Sequence, residues 1–230
     1  MAKLTYLGHS AFYIEGGGIR ALIDPFLTGN PMASEGPQAR GELDYIFLTH
    51  AHGDHLGDTV EIASRTGAQV FATNELATYL AGKGLATIGM HVGGRAAFPF
   101  GRVKLTPAHH GSGIFEDGKM VFSGVPCGFV IELDGKKVYH AGDTGLSADM
   151  KLLECEKIDA ALLPIGGFYV MDEEDAARAV SFIKPIAVVP IHYDTFPPIK
   201  ASPEKFGEHI KRLSAGARLE ALKPGETLEL

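Results

Sequence analysis

Residues 50 to 55 read His50-Ala51-His52-Gly53-Asp54-His55, three imidazoles and a carboxylate within one short stretch. The apolar run before it, Tyr45-Ile46-Phe47-Leu48, predicts a buried strand, and Leu56 to Arg65 after it predicts a helix. Titratable side chains buried without partners are costly, so the cluster belongs on a loop where a strand ends at the edge of a sheet. Catalytic groups usually occupy such loops on α/β scaffolds. Imidazole and carboxylate suit zinc, manganese or iron. One loop cannot aim four such groups at a single ion. Two neighbouring ions that share ligands fit better, and paired ions are a hydrolase device. The alternative is a surface loop that is merely rich in histidine.

The rest of the chain keeps this grammar. Leu4 to Leu7, Ala11 to Ile14 and Ile19 to Ile23, separated by Gly8-His9-Ser10 and Gly16-Gly17-Gly18, predict an antiparallel meander. Pro25 to Gly41 reads as a long loop. Gln69 to Ala72 and Val103 to Thr106 predict strands, with a helix over Asn74 to Gly82 that starts on a plain cap. Gly111-Ser112-Gly113 and the stretch Ile114 to Val125 read as a mobile loop, either a lid or inert. Phe129 to Leu133 and Lys137 to His140 flank Asp134-Gly135, a strong hairpin signal. Then follow a helix over Ser147 to Glu154, a strand over Ala160 to Leu163 and a helix over Asp172 to Ile183 with an acidic start. A strand spans Ala187 to Ile191, and the helix Pro203 to Leu213 has Ser202 as N-cap and Pro203 at its first position. A last strand covers Thr227 to Leu230. Nothing in the 230 residues reads as a linker, which predicts one domain over 1–230.

Three further strand ends carry ligand chemistry. Leu105-Thr106-Pro107-Ala108-His109-His110 offers two imidazoles, Val138-Tyr139-His140-Ala141-Gly142-Asp143-Thr144 a carboxylate, and Val188-Val189-Pro190-Ile191-His192-Tyr193 one imidazole. A lone histidine after a strand is more often a cap than a ligand. Four such strand ends in order are hard to ascribe to chance.

His-x-His-x-Asp-His after a strand resembles the signature of the metallo-β-lactamase fold superfamily. Leu7-Gly8-His9-Ser10, Leu22-Ile23-Asp24-Pro25, Pro164-Ile165-Gly166-Gly167 and Pro190-Ile191-His192-Tyr193-Asp194-Thr195-Phe196-Pro197-Pro198 narrow the likeness to one branch. That branch is the UPF0173 metal-dependent hydrolases, related to the ascorbate-6-phosphate lactonase-like proteins. The resemblance implies an α/β fold, a four-layer αββα sandwich. It implies two divalent metal ions, zinc or manganese before iron or nickel. One would be held by His50, His52 and His110, the other by Asp54, His55 and His192, with Asp143 between them. His110 is preferred to His109 because the relatives read Pro-Ala-x-His. Gly167-Phe168-Tyr169-Val170-Met171 departs from the Gly-His-Phe-Thr-Met of many relatives, removing a polar group beside the site.

These residues imply a metal-dependent hydrolase. A hydroxide bridging two ions would cleave a phosphoester, lactone or ester of a small molecule, with Asp54 and Asp143 as the catalytic carboxylates. Asp24, His9 and His140 are candidates for substrate contact or for orienting the metal-binding histidines. Thr49 and Thr144 could fix the ligand loops. Two other classes use this scaffold: a non-catalytic metal-binding protein and a redox diiron protein. The filled ligand positions argue against the first, and His52, where the redox proteins carry glutamate, against the second. A net charge of -7 argues against a nucleic-acid partner, and no apolar run approaches membrane length. Two isolated cysteines and the absence of a leader-like N-terminus predict a cytoplasmic protein. A homo-oligomer stays open.

Overall fold

The structure, a computed structural model, describes residues 1–213 and 215–230. The chain runs β1 (Lys3–Gly8), β2 (Ala11–Gly16), β3 (Ile19–Ile23), β4 (Tyr45–Phe47), α1 (Gly53–Leu56), α2 (Thr59–Thr66), β5 (Gln69–Thr73), α3 (Asn74–Gly82) and β6 (Thr87–Met90). It continues with β7 (Arg95–Phe98), β8 (Gly101–Pro107), β9 (Gly113–Glu116), β10 (Lys119–Phe122), β11 (Cys127–Leu133) and β12 (Lys136–His140). After a 3-10 helix over Ala148–Glu156 come β13 (Ala160–Pro164), α4 (Glu173–Ile183), β14 (Ala187–Ile191), α5 (Pro203–Arg212), β15 (Arg218–Leu219) and β16 (Thr227–Glu229).

Two seven-stranded sheets result, ordered β16-β1-β2-β3-β4-β5-β6 and β15-β14-β13-β12-β11-β8-β7. β3 to β6 in the first sheet and β12 to β15 in the second run parallel, linked by helices except for the long loop between β3 and β4. The central parallel strands β13 and β14 are buried on both faces, which explains their unbroken apolar runs. Along β5, Phe71 faces the other sheet while Val70 and Ala72 face the helices. Along β13, Ala160 and Leu162 face the other sheet, and Ala161 and Leu163 face α4 and α5. Phe47 stacks on Phe71 with centroids 4.8 Å apart and meets Phe129 of the opposite sheet at 5.5 Å. Burying each such ring contributes about 1.5–3 kcal/mol. The layers run helix, sheet, sheet, helix, which is the αββα sandwich.

The helices are built as their sequences specify. Asp172 caps α4 by accepting from the Asp175 amide at 2.8 Å, and the buried face is Ala176, Ala177, Ala179, Val180 and Ile183. Ser202 caps α5 in the same way, and Phe206 and Ile210, four residues apart, are buried.

Several expectations need correction. The helix over Leu56 to Arg65 is broken at Gly57, whose φ of 43° and close approach to Pro25 and Phe26 end α1 before α2 begins. Asp54 and His55 therefore sit on a helical turn rather than an open loop. The stretch read as a mobile loop contains the hairpin β9–β10, turning at Asp117-Gly118, with Ile114 packed inward. The helix expected over Ser147 to Glu154 is a 3-10 helix over Ala148–Glu156 capped by Ser147, and α3 takes Thr73, not Asn74, as its N-cap. Strands β6, β7 and β15 had no prediction; all lie near sheet edges, where only part of a strand is apolar.

Strands β8, β12, β13 and β14 run in one direction, so their C-terminal ends share one sheet edge. The loops after β1, β3 and β4 approach that edge from the first sheet. In parallel sheets this is where ligands are met.

Candidate metal centre

Asp24 ends β3 with a left-handed backbone (φ 44°) and is fully buried. Its carboxylate accepts from the Thr49 amide at 2.8 Å, the Thr49 hydroxyl at 2.6 Å and His55 Nδ1 at 2.7 Å. Burial disfavours its charge, but the surrounding histidines, His55 foremost, hold its pKa below the usual carboxylate range. These contacts decide ring tautomers. With its proton given to Asp24, the Thr49 oxygen accepts from His50 Nδ1 at 3.0 Å. In the neutral rings, His50 and His55 then both carry their proton on Nδ1 and turn the Nε2 lone pair inward.

Two groups of inward-facing atoms follow. His50 Nε2 lies 3.1 Å from His52 Nδ1, which lies 3.2 Å from His110 Nε2. Burial pushes the pKa of all three imidazoles down and favours their neutral forms. In the second group, His192 Nε2 is 3.7 Å from Asp54 Oδ2, and His9 Nε2 is 3.3 Å from the same oxygen. His55 completes it. Asp143 stands between the groups, with Oδ2 3.5 Å from His110 Nε2 and 3.1 Å from His192 Nε2, and Oδ1 3.2 Å from His55 Nε2. His55 Nε2 and Asp143 Oδ1 are buried without a hydrogen-bond partner. Burial opposes charge on His55 and His192, yet Asp143 beside them raises both, His192 to about 9.

Facing lone pairs and orphaned buried acceptors call for cations among them. The donor set, imidazole nitrogen with carboxylate oxygen, fits divalent zinc or manganese. The backbone is strained in the same place: His9, Asp24, His192 and Asp194 all have positive φ.

The structure brings together His50, His52, Asp54, His55, His110, Asp143 and His192. His109 is exposed and stands outside the cluster; its amide donates to the Thr144 hydroxyl at 2.9 Å, tying together the loops that carry His110 and Asp143. His140 lies beneath the cluster rather than on its open side. Its Nε2 donates to the Ser10 carbonyl at 2.9 Å, and its Nδ1 accepts from the Gly142 amide at 3.1 Å, bracing the turn before Asp143. His9 is buried, with Nδ1 2.8 Å from the Thr195 hydroxyl. Thr195 was not singled out from sequence, nor was Ser112, whose hydroxyl accepts from the Ala51 amide at 3.3 Å. Only the fold shows that these hydroxyls meet His9 and the loop that carries His50 and His52. Above the cluster opens a cavity of about 340 Å³ lined by His52, Asp54, His110, Asp143, Tyr169, His192 and Phe196.

The model of the Beta-lactamase superfamily domain matches residues 19–193. A UPF0173 metal-dependent hydrolase of Alkaliphilus metalliredigens is 53% identical over 212 residues, covering 91% of this chain and 93% of its own. The chain belongs to the UPF0173 metal-dependent hydrolases. Another UPF0173 protein, from Geobacillus thermodenitrificans, is 50% identical over 99% of this chain and 100% of its own. Among solved structures, Igni18, a metallo hydrolase of Ignicoccus hospitalis, superposes with a TM-score of 0.89 at 42% identity, covering 100% of this chain and 99% of that one. This UPF0173 protein is thus a metal-dependent hydrolase with the metallo-β-lactamase fold. Among the described residues, no helix is long and apolar enough to cross a membrane.

Proposed function

We propose that this UPF0173 protein holds two divalent ions and hydrolyses an ester, lactone or phosphoester of a small molecule. His50, His52 and His110 would hold one ion and Asp54, His55 and His192 the other, with Asp143 placed between the two groups. The supporting observation is the position of Asp143: its two oxygens face histidines of both groups, and one oxygen has no hydrogen bond. Such ions, zinc or manganese, would lower the pKa of a bound water and polarise the bond under attack.

The chain's own residues do the rest. Asp24, through Thr49 and directly, keeps the His50 and His55 lone pairs pointed inward. Asp54, at the cavity wall and partly exposed, orients the attacking water and carries its proton to the leaving group. His9 steadies Asp54 and is itself held by Thr195. Burial lowers the His9 pKa to about 4, so at neutral pH the ring is uncharged and does not compete with the cations. The reaction is that of one domain in a reducing cytoplasm, where Cys127 and Cys155 stay free.

The test is titration of chelator-treated protein with zinc or manganese, read by elemental analysis and by turnover of aryl esters, lactones and phosphodiesters. The expected stoichiometry is two ions per chain, reduced in Asp143→Ala. Saturation at one ion, with Asp143→Ala binding as tightly as wild type, refutes the two-ion reading.

A further inference from the structure

The open side of the site differs from its floor. None of the chain's 21 lysines and arginines lines the cavity among the described residues. Three carboxylates, Asp24, Asp54 and Asp143, stand in or beneath it and offset most of the charge that two divalent ions bring. The next helix N-terminus after the Tyr169 loop is no anion site either: α4 is capped by the Asp172 carboxylate and opens with Glu173, Glu174 and Asp175. A substrate phosphate or carboxylate held away from the metals would normally meet an arginine, a lysine or free backbone amides. Among the described residues, no arginine or lysine lines the cavity to play that part.

Aromatic side chains take that place. Tyr169 and Phe196 line the cavity, and both are exposed, Tyr169 by 56% and Phe196 by 36%. Phe168, 80% exposed, stands edge-on to Tyr169 with centroids 4.7 Å apart. Phe26 backs Phe196 at 6.3 Å, and Phe196 lies 5.7 Å from His9. Leaving such rings in water forgoes burial energy, and an apolar rim around a reactive centre is a common mark of ligand recognition.

The rim is rigid. The Gly167 amide donates to the Met171 carbonyl at 3.0 Å, and the Met171 amide donates to the Thr144 carbonyl at 3.0 Å, one residue from Asp143. Phe168 holds a positive φ of 48° within this closed loop. On the other side, the Asp194 amide donates to Ile199 at 2.8 Å and the Ile199 amide to Phe196 at 3.1 Å, around Pro197 and Pro198. Both aromatic loops are therefore tied to loops that carry Asp143 and His192. Preorganised rings lose little entropy when they grip a ligand.

We propose that the substrate is an uncharged ester or lactone bearing an apolar aryl or alkyl group, gripped by Tyr169 and Phe196. The proposal rests on the metal-dependent hydrolase reading and narrows it. One water is consumed. Its oxygen bonds to the acyl carbon, and the bond from acyl carbon to alkoxy oxygen breaks with its electron pair going to that oxygen. The alkoxy oxygen takes the proton carried by Asp54, and the acid product loses its proton to solvent.

The experiment uses metal-loaded protein with p-nitrophenyl acetate, butanoate and hexanoate, and bis-p-nitrophenyl phosphate, each rate divided by its uncatalysed rate. Normalised kcat/KM should rise from acetate to hexanoate and exceed that for the phosphodiester. Tyr169→Ala and Phe196→Ala should each cost the hexanoate about 5–10-fold more than the acetate, the size expected for one aromatic contact. Tyr169→Phe should restore the hexanoate preference. Independently of turnover, saturation-transfer NMR should detect 4-phenylbutan-2-one, a neutral ketone that is not hydrolysed, and the signal should fall in both alanine variants. Preference for the phosphodiester, indifference to chain length, or ketone binding unchanged in both variants overturns the proposal. Turnover that survives chelation sinks the metal-dependent reading instead, which elemental analysis of the same samples reports separately. If no substrate turns over, the ketone measurement decides.

Discussion

Asp24→Asn changes one atom and should disarm both halves of the metal centre. An asparagine can still accept from the Thr49 amide through its oxygen. Its NH2 group then replaces the oxygen that accepts from the Thr49 hydroxyl at 2.6 Å and from His55 Nδ1 at 2.7 Å. Two donors would face a third. Relief requires His55 to move its proton to Nε2, the nitrogen that looks toward Asp143. It also requires the Thr49 hydroxyl to donate to His50 Nδ1, sending that ring's proton to Nε2 as well. Both inward lone pairs are lost together. Removing a partner that orients a ligand typically costs 10–100-fold in metal affinity, so about 1.4–2.7 kcal/mol is expected at each ion. In the metal-free protein, losing hydrogen bonds to a buried carboxylate adds destabilisation of about 1.5–3 kcal/mol per bond. Chelator competition measures the two affinities, and nitrogen-15 correlation spectra of the histidines report which ring nitrogen carries the proton. Wild-type affinity for both ions, with His50 and His55 still protonated on Nδ1, would refute this chain of reasoning.

Metal loading at pH 7 should release protons, because His192, raised to about 9, and His55, held well above the usual histidine value by Asp143 and Asp24, must be neutral to ligate; calorimetry in buffers of different ionisation enthalpy measures the number, and buffer-independent heats would contradict it. The same shift stabilises the metal-free fold below pH 6.5, the ordinary histidine value, and is lost as pH climbs through about 9, worth roughly 3 kcal/mol for His192; melting temperatures of metal-free protein from pH 6 to 9.5 should fall. His110→Ala should lose metal and turnover together while His109→Ala keeps both, and the reverse would place the motif one residue off. Gly142→Ala should destabilise by at least ~1–3 kcal/mol and weaken metal binding, since its φ of 62° is left-handed and an added Cβ would meet Cys127 O at 2.8 Å and Thr49 Cβ at 2.9 Å; an unchanged melting temperature would count against that contact.

The legible parts of the chain were those whose signal is local. The strands Ile19–Ile23 and Ala187–Ile191, the hairpin around Asp134-Gly135, and the Ser202-Pro203 start of α5 declare themselves within a few residues, because period, turn chemistry and capping act over that distance. The strand ends bearing His50, Asp143 and His192 were legible for the same reason. The break at Gly57 was not, since its cause is Pro25 and Phe26, more than 30 residues earlier. Nor was the hairpin in Ile114 to Val125, whose four-residue strands carry apolar residues on both faces, with Phe115, Met120 and Phe122 exposed, so no alternation marks them.

The sequence by itself determined which residues can bind metal and that they leave the ends of buried strands, because residue chemistry and hydrophobic period are properties of short stretches. Only the tertiary structure decided which of those residues meet. It turned His110 inward and left His109 exposed, set His140 beneath the Asp143 turn, and linked Asp24 to His50 through Thr49 and to His55 directly. It also placed Tyr169 and Phe196, 27 residues apart in sequence, on the lining of one cavity. Side chains acquire a common centre only when two sheets pack and their strand ends share an edge. That alignment depends on the hydrophobic layer between the sheets, where Phe47, Phe71 and Phe129 from three separate strands come into contact.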